Sequence, residues 1–241
     1  MDEMINTNEN NELNSQKRLR DLLIILIVLI IVLIAAFFSV TLIRFYWFRP
    51  ISISGHSLEP TFKDESVVNI NTLADYEFYD VVVFYQIEVN NTETAENPAK
   101  YYHSWNAFVR SMPFIGSTVE NNVDTTGWIM LIKRMVGLPG DTVELKSEEV
   151  DGVNRIFLYR NGEKIEEDFI MIDKDKLTPE TLTFAQAMAE EGKTIHPIRA
   201  VEPVTLGDNE YYMIGDNRSG STDCRFFGPA KSDTIVGKVR K

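Results

Sequence analysis

The stretch from Ser54 to Phe62, SGHSLEPTF, places Ser57 between a Gly-His pair and a Pro-Thr turn, shortly after a long apolar run. A serine hydroxyl is a weak nucleophile unless a neighbouring group accepts its proton. The chemistry of this stretch therefore depends on whether the chain supplies a base for Ser57. Without such a base, the stretch is an ordinary polar turn.

The three histidines are poor candidates for that base. His56 is adjacent to Ser57, but neighbouring side chains of an extended segment point to opposite faces. The segments around His103 and His196 contain no recognisable triad context, so we interpret all three as turn or surface residues. The histidines also lack HExxH spacing, and Cys224 is the single cysteine, so the sequence predicts no metal site and no disulfide within the chain.

Lys133 is the lysine best placed to act as a base, because it lies within the apolar segment MLIKRMVG at 130–137. An exposed lysine has a pKa of about 10.4, and burial lowers that pKa by up to about 3–5 units because the charged form loses its hydration. The same pattern also fits a lysine on the outward face of an amphipathic strand. Composition leaves both interpretations open.

A third polar segment lies near the carboxyl end, where residues 215–228 read GDNRSGSTDCRFFG. Its glycine, serine and asparagine content predicts a tight loop. We expect the charged side chains of the loop to pair with one another inside it. These side chains are Asp216, Arg218, Asp223 and Arg225.

The apolar run from Leu22 to Ile43 contains no charged residue. As a helix it would be about 33 Å long, enough for a hydrocarbon core of about 30 Å. The apolar region of a cleavable signal peptide is shorter and ends at small residues, whereas this run continues into the bulky segment 44–48, RFYWF. The sequence therefore predicts a retained single-pass membrane anchor at 21–43, in contact with the lipid bilayer.

Basic residues flank this run unevenly, which predicts a cytoplasmic amino terminus and an extracytoplasmic domain at 44–241. The polar, asparagine-rich segment 1–20 predicts a short disordered cytoplasmic tail. The basic residues are Lys17, Arg18 and Arg20 before the run and Arg44 and Arg49 after it.

Beyond the anchor, short β-rich segments alternate with Gly, Pro and Asn turns. This pattern predicts a mainly β, antiparallel, barrel-like domain, with a hairpin turn at Asn161–Gly162. Two longer segments, about 86–127 and 171–200, interrupt the pattern as insertions. Within the first insertion, an apolar stripe at helical spacing either packs on the protein or dips into the membrane. The stripe consists of Trp105, Phe108, Val109 and Met112.

The formal net charge of −12 at pH 7 makes a nucleic-acid partner improbable on physical grounds. Phosphate recognition requires a concentrated basic surface, and the sequence contains no such segment.

Taken together, these segments resemble the bacterial type I signal peptidases, which are Ser–Lys membrane proteases. SGHSLEPT at 54–61 resembles the serine box of the family, and IKRMVGLPGDTV at 132–143 resembles its lysine box. The resemblance implies that Ser57 is the nucleophile and Lys133 its general base. It also implies that Gly55 and His56 lie along the substrate.

Two further boxes resemble the family. YDVVVF at 79–84 is similar to a strand that helps to bind the substrate, which implies such a role for Asp80 and for Val81, Val82 and Val83. The segment 215–225 is similar to the last box. It implies that Ser221 hydrogen-bonds the lysine and that Asp223 and Arg225 support it, together with Asp216 and Asn217.

The resemblance implies removal of signal peptides from exported preproteins at Ala-x-Ala-like sites, through an acyl-enzyme and without a metal or cofactor. Leu58 stands where the family commonly has methionine. Gly55 stands where some members have a serine that contributes to the oxyanion hole, and Cys224 replaces a common serine. Two rival interpretations are a repressor-type Ser–Lys autoprotease and a membrane-anchored binding protein with decayed boxes. The membrane span disfavours the first, and the filled chemical positions disfavour the second.

Overall fold

The computed structural model describes residues 2–47, 49–87, 95–114, 123–150, 153–170, 176–177 and 200–240. One long helix, α1 (Asp2–Tyr46), precedes a domain built mainly of β-strands. Within the described residues, α1 is the helix long and apolar enough to cross a membrane. Its apolar side chains stay largely exposed, as the 64% exposure of Ile25 illustrates.

The described part of the segment predicted as a disordered tail, residues 2–20, belongs to α1, which begins at Asp2. Helix growth adds one hydrogen bond for each further residue that is fixed, so a helix nucleated in the apolar run can extend into a polar flank. The polar composition of 1–20 indicated a lack of core contacts. It did not exclude helix.

Most of the strands form an antiparallel sheet with the order β1-β2-β12-β3-β4-β10-β11. This arrangement confirms the mainly β, antiparallel prediction. The strands of this sheet are β1 (Arg49–Ser52), β2 (Val67–Asn71), β3 (Val81–Ile87), β4 (Trp128–Gly137), β10 (Glu210–Ile214), β11 (Ala230–Lys231) and β12 (Ile235–Val239).

A second antiparallel sheet has the order β7-β6-β5-β9, with β8 also paired to β6. The predicted hairpin turn is confirmed: Asn161 and Gly162 adopt φ of 55° and 82°, the left-handed conformation that a tight hairpin turn requires. These strands are β5 (Thr142–Val150), β6 (Val153–Arg160), β7 (Glu163–Lys164), β8 (Lys176–Leu177) and β9 (Val201–Thr205).

Alternate residues of the central strand β3 enter two different cores. Val82 and Phe84 pack with residues of the second sheet, whereas Val81 and Val83 pack with β1, β2 and β12 on the other face. Burial on both faces explains why β3 reads as a continuous apolar run. It also makes β3 and its neighbour β4 a rigid base for any side chain that they present.

The first insertion contains a short 3-10 helix (Pro98–His103) and the helix α2 (Trp105–Ser111). Phe108 meets Phe45 of α1 edge to face at 5.4 Å between ring centroids, so this part of the apolar stripe packs on the protein. Trp105 is 71% exposed, which leaves open the alternative that part of the stripe meets the membrane. The second insertion, 171–200, lies outside the described residues except for 176–177 and 200.

Candidate active site

Ser57 lies in the turn that connects β1 and β2. Leu58, the next residue, is fully buried and fixes the turn against the core beneath it. Before the serine, Gly55 has a φ of 94°, a conformation that residues with a Cβ rarely adopt, and its N–H donates to Asp64 Oδ1 at 2.7 Å. Ser57 therefore stands on a bend whose two sides are both held in place.

Lys133 reaches this turn from the middle of β4. Its backbone is in register with Val82 of β3, and the residue is only 3% exposed. Lys133 Nζ and Ser57 Oγ lie 2.9 Å apart in a hydrogen bond. The structure thus brings together the two residues that the sequence identifies as nucleophile and base, and it excludes the outward-facing interpretation of Lys133.

Burial lowers the pKa of Lys133 to about 8. Asp223 acts in the opposite direction by favouring the charged amine, whereas Arg225 favours the neutral one. At a pKa of about 8, roughly one lysine in ten is neutral at pH 7, compared with fewer than one in a thousand for an exposed lysine. A neutral amine within hydrogen-bonding distance of a serine hydroxyl can accept its proton.

Asp223 is the centre of the polar loop at 215–228 and is completely buried. It accepts hydrogen bonds from Arg225 Nε (2.8 Å) and Nη2 (2.9 Å), from Ser221 Oγ (2.7 Å) and from the N–H of Gly215 (2.9 Å). Burial alone would raise the pKa of Asp223, but Arg225 and these donors outweigh it and lower the pKa. The carboxylate is therefore ionised and saturated with donors.

Gly215 joins this loop to the serine turn at very close range. A Cβ on Gly215 would overlap both the Ser221 side chain and the carbonyl oxygen of Ser57. The N–H of Asn217 donates to that same carbonyl at 3.1 Å, and its Nδ2 donates to the carbonyl of His56 at 3.1 Å. The loop and the serine turn thus form one packed unit.

The profile of a family described as "Signal peptidase, peptidase S26" matches residues 22–241 of the chain. The chain belongs to this family. It is therefore a serine endopeptidase, and the family indicates that it removes signal peptides. Together with α1, membership also indicates a protein anchored in a membrane.

Three curated relatives illustrate the range of similarity. A signal peptidase I of Bacillus amyloliquefaciens is 26% identical over 76% of this chain and 69% of its own length. A signal peptidase IB of Staphylococcus aureus is 27% identical over 79% and 74%, respectively. A signal peptidase I of Bacillus caldolyticus is 36% identical over a shorter region, 45% of this chain and 50% of its own length.

In this signal peptidase, one expected contact is absent from the described part of the chain. The resemblance implied a hydrogen bond between Ser221 and Lys133, but the Ser221 hydroxyl donates to Asp223 and the Lys133 amine bonds Ser57. Ser221 borders the site, beside Gly215, without bonding the amine directly.

The expectation that all four charges pair within the loop is only partly correct. Asp223 and Arg225 do pair. Asp216 instead accepts from Arg134 of β4, at 2.7 Å from Nε and 2.6 Å from Nη2, and Arg218 pairs with Glu167 outside the loop. Three side chains that the sequence analysis missed therefore support the site: Arg134, Glu167 and Thr61, whose hydroxyl donates to Asp216 Oδ2 at 2.5 Å.

Arg134 follows Lys133 in β4, and adjacent residues of a strand project to opposite faces. Two adjacent charged residues in an apolar strand could have indicated this pairing from the sequence. Lys133 was interpreted as the base, and Arg134, on the opposite face of the strand, then required a buried acidic partner. Asp216, 1% exposed, is that partner. It ties β4 to the loop that holds the serine turn.

The strand predicted to bind the substrate, β3, lies inside its sheet and not at an exposed edge. Val81, Val82 and Val83 are buried, and β3 is hydrogen-bonded to β4 on one side and β12 on the other. Asp80 accepts from the N–H of Glu77 at 2.7 Å and pairs with Lys238 at 2.8 Å. Direct contact between this strand and a substrate stays a prediction.

His56 is exposed, and its Nδ1 lies 3.1 Å from Glu59 Oε1. Among the described residues, no group of three or more His, Cys, Asp or Glu side chains is arranged to hold a metal ion.

Proposed function

We propose that this signal peptidase cleaves with a Ser–Lys dyad, in which Ser57 is the nucleophile and Lys133 the general base. The observation that carries the proposal is the 2.9 Å hydrogen bond between Lys133 Nζ and Ser57 Oγ at a lysine that is 3% exposed. When protonated, the amine donates in this bond. When neutral, its lone pair can accept the hydroxyl proton, and burial favours the neutral form.

In the proposed reaction, Lys133 takes the proton of Ser57 as the oxygen attacks the scissile carbonyl. The new C–O bond creates an oxyanion, which backbone N–H groups stabilise, that of Ser57 included. Lys133 then gives its proton to the leaving amine, and the C–N bond breaks to leave an acyl-enzyme. In the second half, Lys133 removes a proton from the water that attacks the ester, and it returns this proton to Ser57 Oγ as the ester C–O bond breaks. No step uses a metal or cofactor.

The supporting residues act by position. Asp223, ionised and held by Arg225, fixes the Ser221 hydroxyl beside the site, and we assign Ser221 to orienting the Lys133 amine. Asp216 and Asn217 hold the serine turn, Asp216 through Thr61 and Asn217 through the backbone of Ser57. These are positioning residues, because each acts through another group.

For the substrate, we propose exported preproteins whose signals end in Ala-x-Ala-like sequences, with Gly55 and His56 along the bound peptide. Asp80 and the first residues of β3, Val81 to Val83, are proposed to help bind that peptide. We further propose that α1 crosses the bilayer once, with its amino terminus in the cytoplasm and residues 44–241 on the extracytoplasmic side. Substrate and enzyme would then meet at one membrane surface.

The test compares cleavage of a preprotein ending its signal in Ala-x-Ala by the full-length parent and by Ser57→Ala and Lys133→Ala, in detergent. Both variants should lose at least about three orders of magnitude in kcat, because each removes a group that takes part in bond making. Lys164→Ala, on an exposed strand end, is the matched control and should cleave as the parent does. Mass spectrometry should place the cut after the second alanine.

Substantial activity in Lys133→Ala with an unchanged cut site would refute the dyad. A folded parent that leaves this preprotein intact would refute the proposed substrate class. Variant unfolding curves similar to that of the parent are required for either conclusion.

A further inference from the structure

A cavity of about 290 Å³ lies where α1 meets the domain, between the end of α1, β1, the 3-10 helix and α2. Three arginines line it, Arg44, Arg49 and Arg110, and no acidic residue does so in the described part of the chain. In a protein with a net charge of −12, this is a marked local concentration of positive charge. Such a concentration favours an anionic ligand.

Two polar atoms, each on a residue that lines this cavity, have no hydrogen-bond partner among the described residues. They are Arg49 Nη2 and the hydroxyl of Tyr101, and both are shielded from solvent. Buried donors without partners are rare in folded proteins, because each gives up its bonds to water. Their occurrence together, on residues that line one basic cavity, points to a ligand that supplies acceptor oxygens.

Arg49 is held rigidly in the wall of the cavity. Its Nε donates to the carbonyl of Phe45 at 2.7 Å, and its guanidinium lies over the rings of Phe45 (4.4 Å) and Tyr102 (5.4 Å). These contacts fix the plane of the guanidinium and leave Nη2 for another acceptor. A planar, fixed guanidinium is well suited to the oxygens of a phosphate group.

The position of the cavity relative to the membrane identifies the source of that phosphate. Arg44 directly follows the apolar run that ends at Ile43, so the cavity lies at the depth of lipid headgroups if α1 crosses the bilayer as proposed. Trp47 and Trp105, 49% and 71% exposed, flank the same region, and exposed tryptophans are common at that depth.

We propose that this cavity binds the phosphate of an anionic lipid headgroup. Arg49 and Tyr101 supply buried donors, and Arg44 and Arg110 supply the surrounding charge. The first insertion thereby acquires a role, because its 3-10 helix and α2 provide Tyr101 and Arg110 and close the cavity against α1. The proposal rests on the membrane placement of α1 and is independent of the Ser–Lys chemistry.

The experiment uses the full-length protein in dodecyl maltoside and measures binding of short-chain lipids by native mass spectrometry and titration calorimetry. The probes are dihexanoyl phosphatidylglycerol, dihexanoyl phosphatidylcholine and inorganic phosphate. One molecule of the phosphatidylglycerol should bind per chain, at least about tenfold more tightly than the phosphatidylcholine, because its net charge is not cancelled within the headgroup.

The double variant Arg49→Gln/Arg110→Gln should weaken phosphatidylglycerol binding by at least about tenfold, because it removes charge-assisted hydrogen bonds. Lys164→Gln/Lys231→Gln changes the net charge equally at sites outside the cavity and should bind as the parent does. Tyr101→Phe gives a milder test with smaller risk to folding, and it should weaken binding several-fold.

Equal affinities for the two lipids, or undiminished binding by both cavity variants, would overturn the proposal. Inorganic phosphate that saturates the site and is not displaced by phosphatidylglycerol would show a free-anion site, which also overturns the lipid assignment. Cleavage of the preprotein is measured on the same samples. Loss of lipid binding with retained cleavage separates this proposal from the dyad, since none of the substituted residues lies in the active site.

Discussion

The loop around Asp223 and the wall of the cavity around Arg49 both contain buried polar atoms, but these atoms differ in their hydrogen bonding. Asp223 accepts hydrogen bonds from Arg225, Ser221 and Gly215. At the cavity, Arg49 Nη2 and the Tyr101 hydroxyl have no such partner among the described residues.

This difference distinguishes a loop that supports the fold from a cavity that is suited to bind a ligand. A saturated carboxylate gains nothing from a further ligand, so Asp223 itself holds its neighbours in place. By contrast, buried donors without partners in the wall of a basic cavity gain hydrogen bonds when a ligand binds. The Asp223 loop has a single exception, Arg225 Nη1, which is also buried without a hydrogen-bond partner among the described residues.

Arg225→Ala should have the largest effect on stability, because it leaves Asp223 as a buried and unpaired charge. We expect a loss of about 3–5 kcal/mol in the free energy of unfolding, which chemical denaturation can measure. Lys231→Ala, which removes an exposed partner of Glu210, is the control and should change stability by less than about 1 kcal/mol. Similar losses in both variants would contradict the structural role of the buried pair.

Lys133→Met should increase stability at pH 7 by about 1–3 kcal/mol, because it removes a buried amine that is mostly protonated there. The unfolded lysine has a pKa near 10.5 and the folded one about 8, so between these values the unfolded chain binds more protons. The parent therefore gains stability as pH rises from 8 to 10.5.

The advantage of Lys133→Met over the parent should shrink through that same window, as followed by denaturation at several pH values. Lys164→Met, at an exposed position, should show no such trend. An advantage that is constant with pH would contradict the lowered pKa of Lys133 and, with it, the supply of neutral base.

Ser221→Ala should reduce stability by about 1 kcal/mol, because the variant removes one donor to Asp223. If Ser221 positions the Lys133 amine, kcat should fall while KM stays near that of the parent. Ser221→Thr, which keeps a hydroxyl, should recover part of kcat. A loss of stability with unchanged kcat would leave Ser221 a purely structural role.

Tyr101→Phe should have the smallest effect on stability, and, unlike Ser221→Ala, it should increase stability. It removes a buried hydroxyl that lacks a partner, so lipid-free protein in detergent should become more stable by up to about 1 kcal/mol. Tyr79→Phe is the matched control: its hydroxyl donates to the carbonyl of Glu166 at 3.0 Å, so its loss should destabilise. Destabilisation by Tyr101→Phe in the absence of lipid would show that its hydroxyl already has a partner.

Much of the fold could be predicted from the sequence, because local patterns determine it. The apolar run predicted the membrane-spanning part of α1, and the apolar segment at 130–137 that contains Lys133 lies in β4. By contrast, β5 (Thr142–Val150) was not predicted, because its second half, KSEEV, is charged and mostly exposed. Its strand character depends on pairing with β6 along the whole length, which is not a local property.

The residues of the active site also differ in whether the sequence could predict them. Ser57 and Lys133 could be identified because their segments resemble the serine and lysine boxes of the family. The pairs that support them, Arg134 with Asp216 and Arg218 with Glu167, could not, because each joins residues far apart in sequence. A single sequence places a charge in an apolar strand or in a polar loop, but it does not show which partner the charge meets.

The hydrogen bonds that assemble the active site span long stretches of chain. Lys133 and Ser57 are 76 residues apart, Thr61 and Asp216 are 155 apart, and Asn217 and His56 are 161 apart. Each of these contacts closes a long loop of chain, which costs conformational entropy. Ser57 therefore has neither its base nor the support of its turn until β4 and the loop at 215–217 have docked against it.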